Sequence, residues 1–173
     1  MKTVDQPRNA NATAGLKTVA DAVWIATAAL HHRHPEAAGF SPAAIQQEVF
    51  ASRLTDKDEK TVYQHIIQHL LANRPKDPNR RKMLTEVEDG LRRLYVAGDP
   101  VHPSKKDGRS TPKPEDLPAN LRHWLSWYED WSRSHHPGKR EPTSDIDPLL
   151  ALAGTWTFGD GDTFIRELRE GWE

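Results

Sequence analysis

Apolar residues in the first part of the chain recur with the three- and four-residue spacing of amphipathic α-helices. The pattern predicts one helix over residues 18–34, where Thr18, followed three positions later by an acid, has the spacing of a capping box. A second helix is predicted from Ser41-Pro42, an N-cap followed by proline at the first helical position, to about Ala51. The patterned part of the chain therefore starts with two short helices.

A third predicted helix carries apolar residues on one side and polar residues on the other. Thr55 is the expected N-cap, acids fill the first turn where the helix dipole favours them, and the helix continues through Leu71. The predicted buried stripe consists of Val62, Ile66, Leu70 and either Tyr63 or Ile67. The opposite face is predicted to carry Lys57, Lys60, Thr61, Gln64, His65 and Gln68.

Two short apolar segments after residue 80 predict a β-hairpin. The segments RKMLTEV and LRRLYVA flank Glu88-Asp89-Gly90, and apolar residues of the second segment alternate imperfectly, as in a half-buried strand. Basic residues lie on this hairpin or just before it: Arg80, Arg81, Lys82, Arg92 and Arg93. The hairpin is thus predicted to be short and positively charged.

Three helices followed by a hairpin are the element order of a winged helix-turn-helix. Two short helices cannot bury their apolar faces alone, so the first helix and the hairpin are expected to close a core around them. A further amphipathic helix is predicted from apolar residues at helical spacing: Leu121, Trp124, Leu125, Tyr128 and Trp131. The predicted fold is mainly α with a small β-hairpin: a winged helix-turn-helix, an additional amphipathic helix and an extended helical C-terminal tail.

Composition divides the chain into four predicted segments. Residues 1–16 are polar and lack periodicity, which indicates a flexible N-terminus, and residues 17–133 form the winged-helix-like domain with its appended helix. Residues 134–148 have the composition of a linker, and residues 149–173 form a tail. The sequence therefore predicts one folded domain that carries a partner-binding tail.

Charge is distributed unevenly along the chain. The 173 residues include 24 basic and 25 acidic side chains, which gives a net charge of −1. Residues 74–113 nevertheless have eleven basic and six acidic residues, whereas residues 144–173 have two basic and seven acidic ones. A basic middle and an acidic tail indicate an anion-facing domain joined to a segment with a different partner.

Composition and spacing also exclude several classes of function. The chain has no cysteine, which excludes disulfide scaffolds, thiolate zinc sites and cysteine catalysis. No apolar run is long enough to cross a bilayer and no signal sequence is apparent, so a cytoplasmic protein without membrane contact is expected. His65 and His69 have the spacing of two zinc ligands, but Ile66 occupies the position of a zincin's general base. We expect no metal site, no cofactor and no enzymatic activity.

The outer face of the third helix carries side chains that suit nucleic-acid recognition. Glutamine amides match adenine, and lysines match guanine or the phosphate backbone, so double-stranded DNA is the expected partner. The basic residues of the hairpin are then expected to contact phosphates or the minor groove. Two other interpretations stay open: the face is only solvated, or the winged helix binds another protein.

Residues 18–131 resemble a group of uncharacterised prokaryotic winged-helix-like proteins. The resemblance rests on VADAVWIATAALHHRHP, LANRPKDPNRRKMLTEVEDGLRRLYVAGDPVHP and TPKPEDLPANLRHWLSWYEDW, with the clearest signal in ANRP, GDPxHP and the tryptophan-rich helix. It covers about two thirds of the chain. The resemblance implies a winged-helix-like fold and assigns no activity.

The end of the chain carries a second resemblance. The sequence DPLLALAGTW…DTFIRELREGW resembles the C-terminal toxin-neutralising tails of AbrB/MazE-like and VapB-type antitoxins. In those proteins the tail follows a small DNA-binding dimerisation domain and wraps a PIN-domain ribonuclease, although the N-terminal part of this chain lacks the swapped-hairpin pattern of AbrB. The resemblance implies partner-binding residues in the tail: Trp156, Phe158, Phe164, Ile165, Arg166, Leu168, Arg169 and Trp172. It also implies that Arg166 or Arg169 enters the acidic metal site of the nuclease, where a guanidinium replaces the charge of the metal.

The tail also has the composition of a segment that folds on a partner. Its acidic residues and aromatic anchors cannot form a core alone but can fill pockets of another protein. We therefore predict an antitoxin of a type II toxin–antitoxin system, which binds operator DNA through the winged helix and neutralises a PIN-domain ribonuclease toxin through its tail. The alternatives are a stand-alone winged-helix transcriptional regulator or a protein-interaction module, in which the tail makes a homodimer or packs back onto its own domain.

Overall fold

The computed structural model describes residues 16–75 and 77–136. Most of the predicted linker and the whole predicted tail lie outside the described residues. The helices and strands are α1 (Val19–Arg33), α2 (Pro42–Ala51), α3 (Glu59–Gln64), β1 (Leu84–Glu86), β2 (Arg92–Leu94) and α4 (His123–Ser134). The described part is therefore mainly helical with one small antiparallel hairpin, as predicted. None of its helices has the length and apolarity needed to cross a bilayer.

α1 is the central element of the core. Its predicted cap is confirmed, because the Thr18 hydroxyl accepts a hydrogen bond of 3.2 Å from the Asp21 backbone N–H and donates one of 2.7 Å to the Asp21 carboxylate. Twelve of its fifteen residues are buried, among them Trp24, which is fully enclosed. A helix buried on nearly every side must be surrounded by the other elements.

α2 packs against α1 through a narrow apolar stripe. Ser41 is the N-cap, as predicted: its hydroxyl accepts a hydrogen bond of 3.1 Å from the Ala44 backbone N–H, and Pro42 occupies the first helical position. Ile45 and Val49 are fully buried one turn apart. Phe50 packs half-buried against the core, and the other residues of the helix are half-buried or exposed.

The N-cap of α3 is Asp58, so the prediction of Thr55 was wrong. The Asp58 carboxylate accepts a hydrogen bond of 2.8 Å from the Thr61 backbone N–H, whereas the Thr55 hydroxyl accepts one of 3.3 Å from Lys57. A carboxylate makes a stronger, charge-assisted cap than a hydroxyl and also favours the positive end of the helix dipole. The helix therefore begins at Glu59.

The helical path changes geometry after Gln64. Residues His65–His69 form a π-helix, closed by a hydrogen bond of 3.0 Å from the Leu70 backbone N–H to the His65 carbonyl. The predicted stripe is confirmed, since Val62, Ile66 and Leu70 are all fully buried. Of the two candidates for its fourth member, Tyr63 is exposed and Ile67 is half-buried.

The predicted hairpin closes one side of the core. β1 and β2 pair antiparallel with Leu84 opposite Leu94, and both leucines are buried. The turn between them needs a left-handed backbone at Asp89 and Gly90, with φ of 58° and 72°. Phe40 extends the pairing, because its backbone N–H and carbonyl both bond to the backbone of Arg92, at 2.8 and 2.7 Å.

α4 joins the core through two of its aromatic residues. Tyr128 and Trp131 are buried, and the Tyr128 ring meets Trp24 edge to face at 5.4 Å between ring centroids. The Tyr128 hydroxyl donates to the Tyr95 carbonyl, which ties α4 to the residue after β2. Trp124 and Trp127 are only half-buried and border an apolar groove against α1.

The long loop before α4 is fixed to the start of α1. Arg109 reaches the Asp21 carboxylate at 3.3 Å, and Asp21 is fully buried. Burial raises the pKa of Asp21, although the hydroxyl of Thr18 and the charge of Arg109 lower it. The ion pair therefore attaches this loop to α1, although Asp21 and Arg109 are far apart in the sequence.

Candidate nucleic-acid interface

Two exposed lysines lie at the start of α3. Lys57 lies just before the helix and Lys60 lies in its first turn, and both side chains are open to solvent. Thr61, predicted to share this face, instead donates its hydroxyl to the Asp58 carboxylate at 2.8 Å. Of these three residues, the two lysines are available to an anion, and Thr61 serves the cap.

An open cleft of about 520 Å³ lies beside the second half of the helix, and it brings two of the predicted residues together. It is lined by Gln64, Ile67, Gln68, Arg74 and Pro75. Two amides offer hydrogen-bond donors and acceptors, while Ile67 and Pro75 give the cleft apolar surface. The arrangement therefore suits a planar polar group with apolar faces, such as a nucleobase.

Arg74 adds a cation to this cleft that was not predicted as a site residue. Its guanidinium lies 3.4 Å from the Glu86 carboxylate, and its side chain is 54 % exposed. Exposed ion pairs of this kind stabilise a protein by at most about 1 kcal/mol, so the guanidinium is free to exchange partners. Arg74 stands in the ANRP segment, which in the sequence supports only the resemblance to winged-helix-like proteins.

His65 has a structural role in α3. Its Nδ1 donates to the Thr61 carbonyl at 2.8 Å, and its ring lies 5.1 Å from the His69 ring. Burial lowers the pKa of His65 below its usual 6.5, although the hydrogen bond to Thr61 acts in the opposite direction. The imidazole is therefore neutral at pH 7 and does not supply a positive charge to this surface.

Three arginines predicted to contact phosphates are occupied by carboxylates of the same chain. Arg81 is buried and donates through Nε and Nη2 to the two oxygens of Asp77, at 3.0 and 3.1 Å. Burial opposes the ionisation of Asp77, but hydrogen bonds from Arg81 and from backbone amides hold the pKa of this carboxyl below its usual value. Such a bidentate pair fixes the segment before β1.

The two arginines of β2 are held in the same way. Arg93 donates to the Asp99 carboxylate at 2.9 and 2.6 Å, and Asp99 also accepts from the Thr85 hydroxyl at 2.8 Å. Arg92 is buried and lies 3.3 Å from the Glu86 carboxylate. These ion pairs hold both arginines in the hairpin. Of the five basic residues predicted to contact phosphates, Arg80 and Lys82 therefore remain as candidates.

Arg80 and Lys82 present their charges differently. Arg80 is exposed and has a left-handed backbone, with φ of 53°. Lys82 is half-buried: its ammonium donates to the Lys106 carbonyl at 2.6 Å and lies 5.7 Å from the centroid of the Tyr95 ring. Neither is paired with a carboxylate among the ion pairs of the described residues.

Lys105 is a buried cation that sequence reasoning missed. It is fully enclosed, and its ammonium donates to the carbonyls of His69 and Leu71 at 2.7 Å each. Burial lowers the pKa of Lys105 from 10.5 to about 8. No signal in the sequence distinguishes it, because a lysine in a Pro/Gly/Lys-rich loop has the pattern of a surface residue.

Neither the other predicted residues nor the comparisons with known proteins add a residue to this candidate interface. The predicted partner-binding residues of the tail lie outside the described residues. Within residues 16–75 and 77–136, no group of three His, Asp or Glu side chains could hold a metal ion. Comparisons with protein-family models, with curated proteins and with solved structures found no match.

Proposed function

We propose that the described domain is a winged-helix module that binds double-stranded DNA through α3, and that the chain acts as the antitoxin of a type II toxin–antitoxin system. The order of elements supports the winged-helix assignment. α2 and α3 are joined by residues 52–58, and the Gln46 side chain donates to the Glu59 carbonyl at 2.9 Å, which couples the two helices. The hairpin comes after α3 in the chain, which is the order expected of a wing.

The observation that carries the DNA-binding proposal is the composition of the solvent-facing part of α3 and its π-helical extension. Lys60 is exposed in the first turn, and Gln64 and Gln68 line the cleft one and two turns later. Lysine contributes affinity through phosphates or guanine, and glutamine discriminates adenine through its amide. Since His65 is neutral and Thr61 is occupied by the cap, these three side chains form the contact set we assign to α3, with the exposed Lys57 just before the helix as a further cation.

The antitoxin part of the proposal rests on the tail. Residues 144–173 are acidic and carry aromatic residues, and residues 147–172 within them resemble the C-terminal tails of AbrB/MazE-like and VapB-type antitoxins. An acidic segment on a DNA-binding domain does not itself favour DNA, so a separate protein partner accounts for it best. A PIN-domain ribonuclease is the toxin that the resemblance implies. The predicted location is the cytoplasm, where such systems act.

The DNA-binding proposal is tested by substituting α3 in the full chain. The variant Lys60→Ala/Gln64→Ala is compared with wild type on a duplex that spans the region upstream of its own gene and on a scrambled duplex, by fluorescence anisotropy over a range of salt concentrations. Loss of one specific amide contact is worth about 1–3 kcal/mol, so affinity for the upstream duplex should fall at least about fivefold. The preference over the scrambled duplex should shrink as well.

A matched control removes the same chemical groups elsewhere. Asn120→Ala/Arg133→Ala takes one amide and one cation from α4 and the turn before it, and both residues are exposed. This control should bind both duplexes like wild type. Equal affinities for wild type and Lys60→Ala/Gln64→Ala, or no binding of wild type to either duplex at about 50 mM salt, would refute DNA recognition by α3.

A further inference from the structure

The loop after the hairpin brings a third cation to Arg80 and Lys82. The Lys82 ammonium donates to the Lys106 carbonyl at 2.6 Å, and the Lys82 backbone N–H donates to the Arg109 carbonyl at 2.9 Å. Gly108 packs so closely on Arg80 that a Cβ at this glycine would lie 1.6 Å from the Arg80 carbonyl oxygen. Arg80, Lys82 and Lys106 therefore lie on two segments in direct backbone contact; we call these three residues the basic cluster.

The charges of the basic cluster are not neutralised within the described part of the chain. Arg80 and Lys106 are exposed, and neither belongs to any ion pair among the described residues. Asp107 is the acid between Lys106 and Gly108 and is itself exposed, so the cluster keeps an excess of positive charge. The neighbouring Arg81 contrasts with it, since Asp77 holds that guanidinium in the interior.

The position of the basic cluster relative to α3 is fixed by buried contacts. Lys105, next to Lys106, donates to two carbonyls at the end of the π-helix, at 2.7 Å each. On the other segment, the backbone N–H groups of Met83 and Leu84 both donate to the Leu70 carbonyl at 3.0 Å. Both segments are thus attached to the C-terminal end of the helix that we assign to base recognition.

We propose that Arg80, Lys82 and Lys106 together bind the phosphate backbone of nucleic acid, as a contact that is independent of sequence. The inference rests on the proposed function and extends it, because it assigns a loop outside both α3 and the hairpin to the interface. A guanidinium can bind a phosphate through two hydrogen bonds, and the two ammonium groups add point charges beside it. Lys105 acts as a positioning residue, since its own charge is buried.

The test measures how affinity depends on salt. Each phosphate contact releases counterions, so removing one should reduce the slope of log K against log salt by about 0.9. The variant Arg80→Gln/Lys106→Gln should therefore lose about 1.8 from the slope measured on the full chain. Its affinity should fall by the same factor for the upstream duplex and for the scrambled duplex, unlike that of Lys60→Ala/Gln64→Ala.

The control is a cation of similar exposure outside the cluster. Arg133→Gln removes a charge from α4 that is paired with Asp130 at 2.9 Å, and it should leave the slope unchanged. If wild type binds DNA and the slope of Arg80→Gln/Lys106→Gln equals that of Arg133→Gln, the basic cluster is not a phosphate contact, while recognition by α3 stands. If wild type binds neither duplex, the proposed function fails and this inference fails with it. Circular dichroism melts confirm that the variants are folded.

Discussion

The surroundings of His31 determine its protonation state. The imidazole is 1 % exposed and packs between the rings of Phe40 and Trp131, with 4.8 Å between ring centroids in each case. Neither of its nitrogens has a hydrogen-bond partner within the part of the chain that the structure describes. Burial, together with the nearby positive charges of His135 and Arg93, lowers its pKa from 6.5 to about 3. His31 therefore stays neutral in the folded protein at pH values where a histidine in an unfolded chain is charged.

This difference predicts an acid-sensitive fold. Between pH 6.5 and about 3, His31 is protonated in the unfolded chain but neutral in the folded chain. The free energy of unfolding therefore falls as pH is lowered through this window. From pH 7 to pH 5 the loss amounts to about 2 kcal/mol. His31→Leu should remove this loss, so urea denaturation should show the variant gaining on wild type as pH falls. His123→Leu, at an exposed position, is the control, and parallel pH profiles of wild type and His31→Leu would contradict the prediction.

At the residue scale, the role of a side chain could be predicted where its partner lies close to it along the chain. The caps at Thr18 and Ser41 were predicted correctly because cap and helix start lie within three residues of each other. Lys105 was not predicted, because its acceptors lie 36 and 34 residues away in sequence. Arg93 and Asp99 lie only six positions apart, but their pairing depends on how the chain turns after β2, which the hydrophobic pattern does not specify.

At the element scale, Lys105 connects the loop after the hairpin to the end of the π-helix. The last carbonyls of a helix have no intrahelical donor, and here a buried ammonium supplies one to His69, the last residue of the π-helix, and also donates to Leu71 just beyond it. Lys105 itself ends a short 3₁₀ turn, Pro103–Lys105. The end of the π-helix and the loop therefore stabilise each other.

Replacing Lys105 should cost far more stability than replacing its neighbour. Lys105→Met keeps the length of the side chain but removes the donor to the His69 carbonyl, whereas the Leu71 carbonyl still accepts a hydrogen bond of 3.2 Å from the Arg74 backbone N–H, so the free energy of unfolding should fall by about 1–3 kcal/mol. Lys106→Met changes an exposed residue and should stay within about 0.5 kcal/mol of wild type. Chemical denaturation of both variants gives the comparison. Equal stabilities would mean that the Lys105 ammonium is dispensable to the helix end.

The order of the elements was predictable because each has its own hydrophobic period. The residue at which a helix begins and the type of helix that forms were not fixed by that period. Asp58, which was expected in the first turn, is the cap of α3 in place of Thr55, because its carboxylate binds the helix start more strongly than a hydroxyl does. The π-helix could not be predicted, as its apolar spacing fits an α-helix equally well. The lysines and glutamines assigned to α3 were correctly expected to be at least partly open to solvent.

At the scale of the whole molecule, the proposal assigns DNA and the toxin to separate parts of the chain. A chain truncated after residue 143 should therefore keep the affinity of wild type for the upstream duplex and lose the partner encoded beside it. Co-expression with that neighbouring gene and affinity purification measures the second property. Full retention of the partner by the truncated chain would contradict the assignment of the tail, and loss of a dimer in light scattering would favour the homodimer alternative.

The ion pair between Asp21 and Arg109 has a consequence for synthesis on the ribosome. The two residues are 88 positions apart, so at 5–20 residues per second Arg109 is made about 4–18 s after Asp21. During that interval the nascent chain lacks the guanidinium that bonds to this buried carboxylate, and burying a carboxylate without its partner is unfavourable. The ion pair of Asp21 can therefore form only after Arg109 has been synthesised.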